Sequence, residues 1–286
     1  MSGGQPTGLL KEIMKKLVIV ILVSIFCLTQ NIFSLEKNRN YSDTIAFIKT
    51  LNSNFIVKEL DTVEYKSYKY PIYKISYNPQ KENKGKKYLI ISGVHGNEPA
   101  PVYAIKDFII SLNNKDVKRK DLQIDFILIV NPFGFEFNQR YNGNNLDINR
   151  DMTKLKTREA QILVNNFKPK NYDKVFDFHE ANASGFFLYC YGVKNKRISD
   201  NILKELAANN VVFDNKYKDK ILEVENGKLY VPLYASIYMK NKETVTTGIF
   251  YANCKNSFTF ETSKNINIEE RKRIIKIILN FIIENA

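Results

Sequence analysis

The sequence predicts an α/β fold: one domain in which a mixed, mostly parallel central β-sheet carries helices on both faces. Three observations support this. Short apolar runs alternate with segments of helical periodicity, as strand–helix crossovers require. Several runs stop on Gly, Asn, His or Glu, the residues expected where strands open into turns. The chain has 286 residues, 44% hydrophobic and 26% charged, long enough for a large core and unlike disordered or fibrous proteins. It shows no internal repeat and no low-complexity linker.

The N-terminus reads separately. Met14-Lys15-Lys16 precedes the apolar run 17–28, a basic start and apolar stretch of signal-peptide proportions, with Ser34 a small residue suited to cleavage. Residues 14–34 are therefore expected to export the chain to the periplasm, envelope or medium. The run is short for a membrane span. The Ile25-Phe26 sequence before Cys27 lacks the pattern of a lipid-anchor signal. Residues 1–13 look like an upstream extension or a cloning remnant, which leaves 35–286 as the single folded domain. Removing 1–34 takes three Lys and one Glu and lowers the net charge from +13 to +11. A basic exported protein suits an anionic envelope surface. No basic patch interleaves with aromatics, so nucleic acid is not expected as a partner. Solvated Lys-rich loops at 81–87 and 115–120 account for much of the charge. Cys190 and Cys254 remain, to pair or stay as free thiols.

Residues 41–51 have helical periodicity. Segments 55–60 and 70–77 read as strands, and 88–91 (Tyr-Leu-Ile-Ile) as a buried strand. Segment 100–112 reads as a helix, with Asn97 as N-cap and Pro99 in its first turn. Segment 123–130 is a strand ending at Asn131-Pro132. The polar stretch 135–151 is long for a connection within a compact domain, and such loops tend to be functional. Segment 157–167 reads as a helix, 174–179 and 185–191 as strands, and 199–209 as a helix. Segment 214–228 resists assignment, 230–238 reads as part helix and part loop, and 244–255 as loop. Segment 257–261 is a strand ending at Glu261. Segment 267–284 is a helix capped by Asn267, with an apolar face of Ile274, Ile275, Ile278, Phe281 and Ile282.

The chain has two histidines, and both close apolar strands. His95 sits in Gly93-Val94-His95-Gly96-Asn97-Glu98, three residues before Glu98, on a turn where α/β sheets place ligands. His179 ends the Val175–Phe178 run. Two His and one Glu form a common catalytic zinc set with one position open. Asp177 shares the face of His179 and suits its remote nitrogen, whereas Glu180 faces the other way. Glu261, ending an apolar strand, is a candidate general base. Arg140 and Arg150 lie in the long loop, where one can stabilise an oxyanion and the other clamp a carboxylate; surface pairing with Asp147 and Asp151 is the alternative.

Together these residues resemble the zinc carboxypeptidase superfamily, in particular short secreted bacterial members. The resemblance rests on His95-Gly-Asn-Glu98 with the distant His179; on Asn131-Pro132-x-Gly134, Arg140-x-Asn142 and Asp147-x-Asn149-Arg150; and on Ser257-Phe258-Thr259-Phe260-Glu261. It implies a zinc-carboxypeptidase-like fold with one Zn2+ on His95, Glu98 and His179. It implies Glu261 as the base, Arg140 at the oxyanion, and Asn149 and Arg150 on a terminal carboxylate. Tyr238 would cap the substrate. The side-chain specificity pocket has no evident place in 244–253, and 35–85 is too short for the activation segment of digestive members. The expected activity is a secreted metallocarboxypeptidase on peptides, including cell-wall peptides, acting as a monomer. The main alternative resembles the aspartoacylase and succinylglutamate desuccinylase group, which shares the His-x-x-Glu and Asp-x-Asn-Arg segments and cleaves N-acyl amino acids. The Phe-Thr-Phe-Glu strand and the export signal favour the peptidase. A third alternative is a non-catalytic envelope binder.

Overall fold

Strands that run parallel all end at one edge of a sheet, and that rule places the functional residues of this chain. The computed structural model describes residues 37–78, 85–114, 121–219, 222–232, 246–252 and 256–286. The signal segment 14–34, Tyr238 and Cys254 lie outside them.

In chain order the elements are helix α1 (Tyr41–Ile45), continued by a 3-10 turn (Ala46–Thr50); strands β1 (Phe55–Tyr65), β2 (Tyr68–Tyr77) and β3 (Lys86–Ile91); helix α2 (Pro99–Asn114); strand β4 (Leu122–Ile127); and helices α3 (Pro132–Glu136) and α4 (Arg158–Asn166). Strands β5 (Lys174–Ala181) and β6 (Phe187–Tyr191) follow, then helix α5 (Lys196–Ala208) and strands β7 (Lys218–Asp219), β8 (Leu222–Glu225) and β9 (Lys228–Val231). Helix α6 (Thr247–Tyr251), strand β10 (Asn256–Ser263) and helix α7 (Ile268–Glu284) complete the order.

The strands form one mixed sheet in the order β1-β2-β4-β3-β5-β10-β6-β9-β8-β7. The central run β4-β3-β5-β10 is parallel, and the flanking pairs are antiparallel except for the parallel β6–β9 pair. Central parallel strands are covered on both faces and so read as continuous apolar runs: Tyr88, Leu89, Ile90 and Ile91 are all buried. On β5 and β10 the pleat sorts side chains by parity. Phe176, Phe178, Phe258 and Phe260 pack together on one face. Asp177, His179, Thr259 and Glu261 share the other, with Glu261 in register with His179. Helix α7 is capped by Asn267, whose Oδ1 accepts from the Glu270 N–H at 2.8 Å. It buries Ile274, Ile275, Ile278, Leu279 and Ile282, while Phe281 stays half-buried. It packs against α2 and α5.

Several expectations need correction. Strand β1 runs past residue 60 to Tyr65 and returns through Lys66-Ser67 as a hairpin. Lys66 takes φ +53° there, a conformation that sequences usually signal with Gly or Asn. Tyr230 and Val231 belong to a strand, because β9 pairs with β6. The 244–255 segment contains the helical turn α6, capped by Thr246. Glu261 is two residues short of the end of β10. Asn97 is not an observed cap: its Oδ1 has no hydrogen-bond partner among the described residues. The first turn of α2 instead donates its Ala100 N–H to Glu180 Oε2 at 3.4 Å. Cys190 is a buried free thiol.

Candidate active site

Parallel β3 and β5 are neighbours, as are β5 and β10, so their C-terminal ends are brought together. The turn after β3 carries His95 and Glu98, β5 carries His179, and β10 carries Glu261. His95, Glu98 and His179 are buried, and their ligand atoms all lie within 4.8 Å of one another. Both histidines turn Nδ1 to the Glu98 carboxylate, each at 2.9 Å and each on its own oxygen. Their remote nitrogens face other carboxylates. His179 Nε2 lies 3.0 Å from Asp177 Oδ2, and His95 Nε2 lies 3.4 Å from Asp147 Oδ1. A carboxylate at the remote nitrogen holds its proton there and leaves Nδ1 as a metal ligand. This donor set fits a divalent zinc-type ion.

Without a metal, the charges within the set balance one another. Burial opposes the charge of Glu98, but His95 and His179 hold it well below the ordinary carboxylate range. Burial likewise opposes a charged His179, yet Asp177 and Glu98 hold its pKa well above the usual value. For Glu261 burial dominates, and its pKa is pushed up to about 8, with His179 pulling the other way. A divalent cation on the three ligands would draw that value down.

The loop after α3 supplies the rest. Asn131 caps α3 by accepting from the Gly134 N–H at 2.8 Å. Asn142 is buried: its Oδ1 accepts from the Asn144 and Leu146 N–H groups, and its Nδ2 donates to Glu159. Tyr65 Oη also donates to Glu159, so a polar network under the loop ties it to β1 and α4. Asp147 accepts from the Asn149 N–H through Oδ1 and from Arg140 Nε and Nη2, at 3.0 and 2.8 Å, through Oδ2. Arg140 thus pairs with Asp147, and the pairing aims it: its Nη1 lies 3.3 Å from His95 Nδ1. Arg150 does not pair with Asp151; it donates to the Asn149 carbonyl, and Asp151 accepts from the Thr157 N–H and hydroxyl.

His95, Glu98, Arg140, Asn149, Arg150 and Glu261 line a cavity of about 310 Å3. Glu180 reaches its edge but is no ligand: it forms an ion pair with Arg271 at 2.7 Å. Three contributors were not foreseen. Lys264 Nζ lies 3.5 Å from Glu98 Oε1. Thr247 donates its N–H at 2.7 Å and its hydroxyl at 2.9 Å to Asn149 Oδ1, leaving the Asn149 NH2 to the cavity. Gly248 lies against Tyr191 and Thr259, where a Cβ would come within 2.2 and 2.3 Å of their hydroxyl oxygens. Gly248 and Ile249 line the same cavity. A larger groove of about 850 Å3 between α5 and the β8–β9 hairpin holds none of this chemistry.

The model of the succinylglutamate desuccinylase/aspartoacylase catalytic domain matches residues 84–272. A Prochlorococcus marinus subsp. pastoris protein named "Probable aspartoacylase" is 35% identical over 122 residues, 39% of each chain. A second protein of that name, from another Prochlorococcus marinus strain, is 26% identical over 168 residues, 56% of this chain and 48% of its own length. The match thus spans less than half of these relatives. Among solved structures, a metallo-carboxypeptidase from Burkholderia cenocepacia superposes with TM-score 0.62 at 14% identity, covering 86% of this chain and 69% of its own. Carboxypeptidase A from Helicoverpa armigera superposes with TM-score 0.56 at 12% identity, covering 83% and 70%. The chain has a carboxypeptidase-like fold and belongs to the succinylglutamate desuccinylase/aspartoacylase catalytic-domain family.

Proposed function

We propose that this protein is a zinc-dependent hydrolase that cleaves an amide bond beside a free α-carboxylate, and that it acts as a carboxypeptidase. The observation that supports this most is the meeting of Glu261, Asn149, His95 and Glu98 around one cavity, with His179 completing the ligand set beside His95 and Glu98. One Zn2+ on the three ligands would supply water acidification and carbonyl polarisation. Glu261 takes the proton from the attacking water and returns it to the leaving amine. Its partly apolar surroundings suit a group that must alternate between the two states. Arg140, aimed by Asp147, donates to the developing oxyanion. Asn149, its carbonyl oxygen held by Thr247, and Arg150 hold the substrate carboxylate. Tyr238 caps the bound substrate.

The family match favours a second reading, a zinc acylase on N-acyl amino acids. The two readings share the released half, a free amino acid, and differ in what is attached to its nitrogen. The export signal and the basic charge favour a cell-envelope peptide as substrate, with the mature chain beginning at Leu35 and working as a monomer.

The test is amino-acid release from short peptides, purified muropeptides, N-acetyl-aspartate and N-succinyl-glutamate, by wild type and Glu261→Gln, with and without chelator. Peptide cleavage lost with chelator, and falling about 10²–10⁴-fold in the variant, supports the carboxypeptidase. Cleavage of the acyl amino acids alone moves the assignment to the acylase. Chelator-resistant release refutes both readings. N-terminal sequencing of protein recovered from cells tests the processing site.

A further inference from the structure

We propose that Asp177 makes the inner end of this cavity a receptor for a primary ammonium on the side chain of the carboxylate-bearing substrate residue. This deepens the amide-hydrolase reading and rests on it for the orientation of the substrate.

Asp177 lines the cavity and is only 1% exposed. Its Oδ2 is engaged by His179 Nε2 at 3.0 Å. Its Oδ1 has no hydrogen-bond partner among the described residues. A buried carboxylate oxygen without a donor is costly, and a ligand that brings a donor recovers that cost. Asp177 lies two residues before His179 on β5, roughly 6.6 Å deeper along the strand. Thr259 is its register partner on β10, and Tyr189 is the partner of Thr259 on β6. Tyr191 Oη and Thr259 Oγ1 lie 3.1 Å apart, facing Gly248. Tyr189, Tyr191 and Tyr217 supply aromatic wall, and Ile249, Leu222 and Val231 supply aliphatic wall. Tyrosine side chains lining a cavity that also holds a carboxylate suit an organic cation.

The charge layout is polar along the cavity. Near the ligands stand Arg140, 3.3 Å from His95, and Lys264, 3.5 Å from Glu98; these suit anionic parts of a substrate. One pleat deeper the charge is the Asp177 carboxylate, since Glu180 is engaged by Arg271. A residue with an α-carboxylate and a terminal ammonium on a slender, unbranched chain matches both ends. A second carboxylate on that residue would face Asp177 and be disfavoured. Preference for lysine- or ornithine-type residues therefore separates this chain from an acylase built for acidic amino acids.

The test is calorimetric binding of free lysine, ornithine, norleucine and aspartate to the zinc-loaded protein and to Asp177→Asn. Norleucine keeps the chain of lysine and lacks the amine. Wild type is expected to bind lysine or ornithine about tenfold or more tighter than norleucine, and that ratio should fall to about one in the variant. Asp177 also touches His179, so overall affinity and zinc content shift in the variant; the lysine-to-norleucine ratio is insensitive to that role. Equal binding of lysine and norleucine by wild type, tighter binding of aspartate, or a ratio unchanged in Asp177→Asn overturns the proposal. Lysine preference without cleavage of any lysine-ended peptide or acyl-lysine keeps the subsite and removes the hydrolase reading. Cleavage without preference does the reverse.

Discussion

Replacing Arg271 with Met should destabilise the protein by about 3 kcal/mol at neutral pH, the low end for breaking a buried pair from one side. Arg271 Nη1 lies 2.7 Å from Glu180 Oε1, with the Glu180 side chain 0% and the Arg271 side chain 16% exposed. Among the described residues the other donor to Glu180 is the Ala100 N–H at 3.4 Å. Burial already raises the Glu180 pKa, and Arg271 is the first group opposing it. Without Arg271 the carboxylate loses that compensation. The sign follows from the raised value. A carboxyl whose folded pKa exceeds its unfolded value, about 4.3 for Glu, is least costly when protonated, and the cost grows as pH rises through the folded pKa. The gap between wild type and Arg271→Met should therefore widen from pH 5 to pH 8. At neutral pH it should lower Tm by about 6–12 °C. Glu180→Gln/Arg271→Met, which removes the buried charge with its partner, should recover most of the loss. Urea unfolding of wild type and these two variants across that pH range is the assay. A cost under about 1 kcal/mol, or a gap independent of pH, refutes the reasoning. Zinc stoichiometry unchanged in Glu180→Gln would also confirm that this residue serves the fold and not the metal.

Three further outcomes are expected. Zinc at 100 times its dissociation constant should stabilise the native state by about 2.7 kcal/mol and raise Tm by about 5 °C or more; Glu98→Gln should abolish the shift in a thermal melt. Thr247→Val keeps the N–H bond to Asn149 and loses the hydroxyl bond, about 0.5–1.5 kcal/mol, so kcat/KM should fall about 2–12-fold, with zinc content unchanged. Asp214 accepts from the Ser184 N–H and hydroxyl and from the Lys216 and Tyr217 N–H groups. Against burial, the Ser184 bonds lead in lowering its pKa. Its stabilisation is therefore present above the unfolded value of about 3.9 and lost as pH falls through the folded one. Asp214→Asn should cost about 2 kcal/mol at pH 7 and less toward pH 3, measured by denaturant titration.

Much of the site was legible because its residues sit where a strand pattern breaks. An apolar run closed by His, with Glu three residues on, locates a ligand turn without further structure, and a second His closing a second run completes the set. Strong strands were legible for the same reason: Tyr88-Leu89-Ile90-Ile91 can only be buried on both faces. The weak ones were not. The Lys66 turn lacks Gly, and β9 is four residues long, stabilised by its neighbour β6 more than by its own pattern. Thr247 carries no signal, because its importance lies in a hydrogen bond to Asn149, 98 positions away.

By itself, the sequence determined which chemistry was on offer: two histidines, one chelating Glu, one Glu at an apolar strand, and a polar loop with two arginines. Those properties are local, since a side chain's donor set and a strand's periodicity do not depend on distant residues. Only the tertiary structure decided how the residues combine. Parallel pairing of β3, β5 and β10 put their ends at one edge, the pleat put Asp177 beside Thr259 one step below the ligands, and α6 closed the pocket with Gly248. Strand order, register and the environment of a buried oxygen are set by contacts across the chain, and no local pattern encodes them.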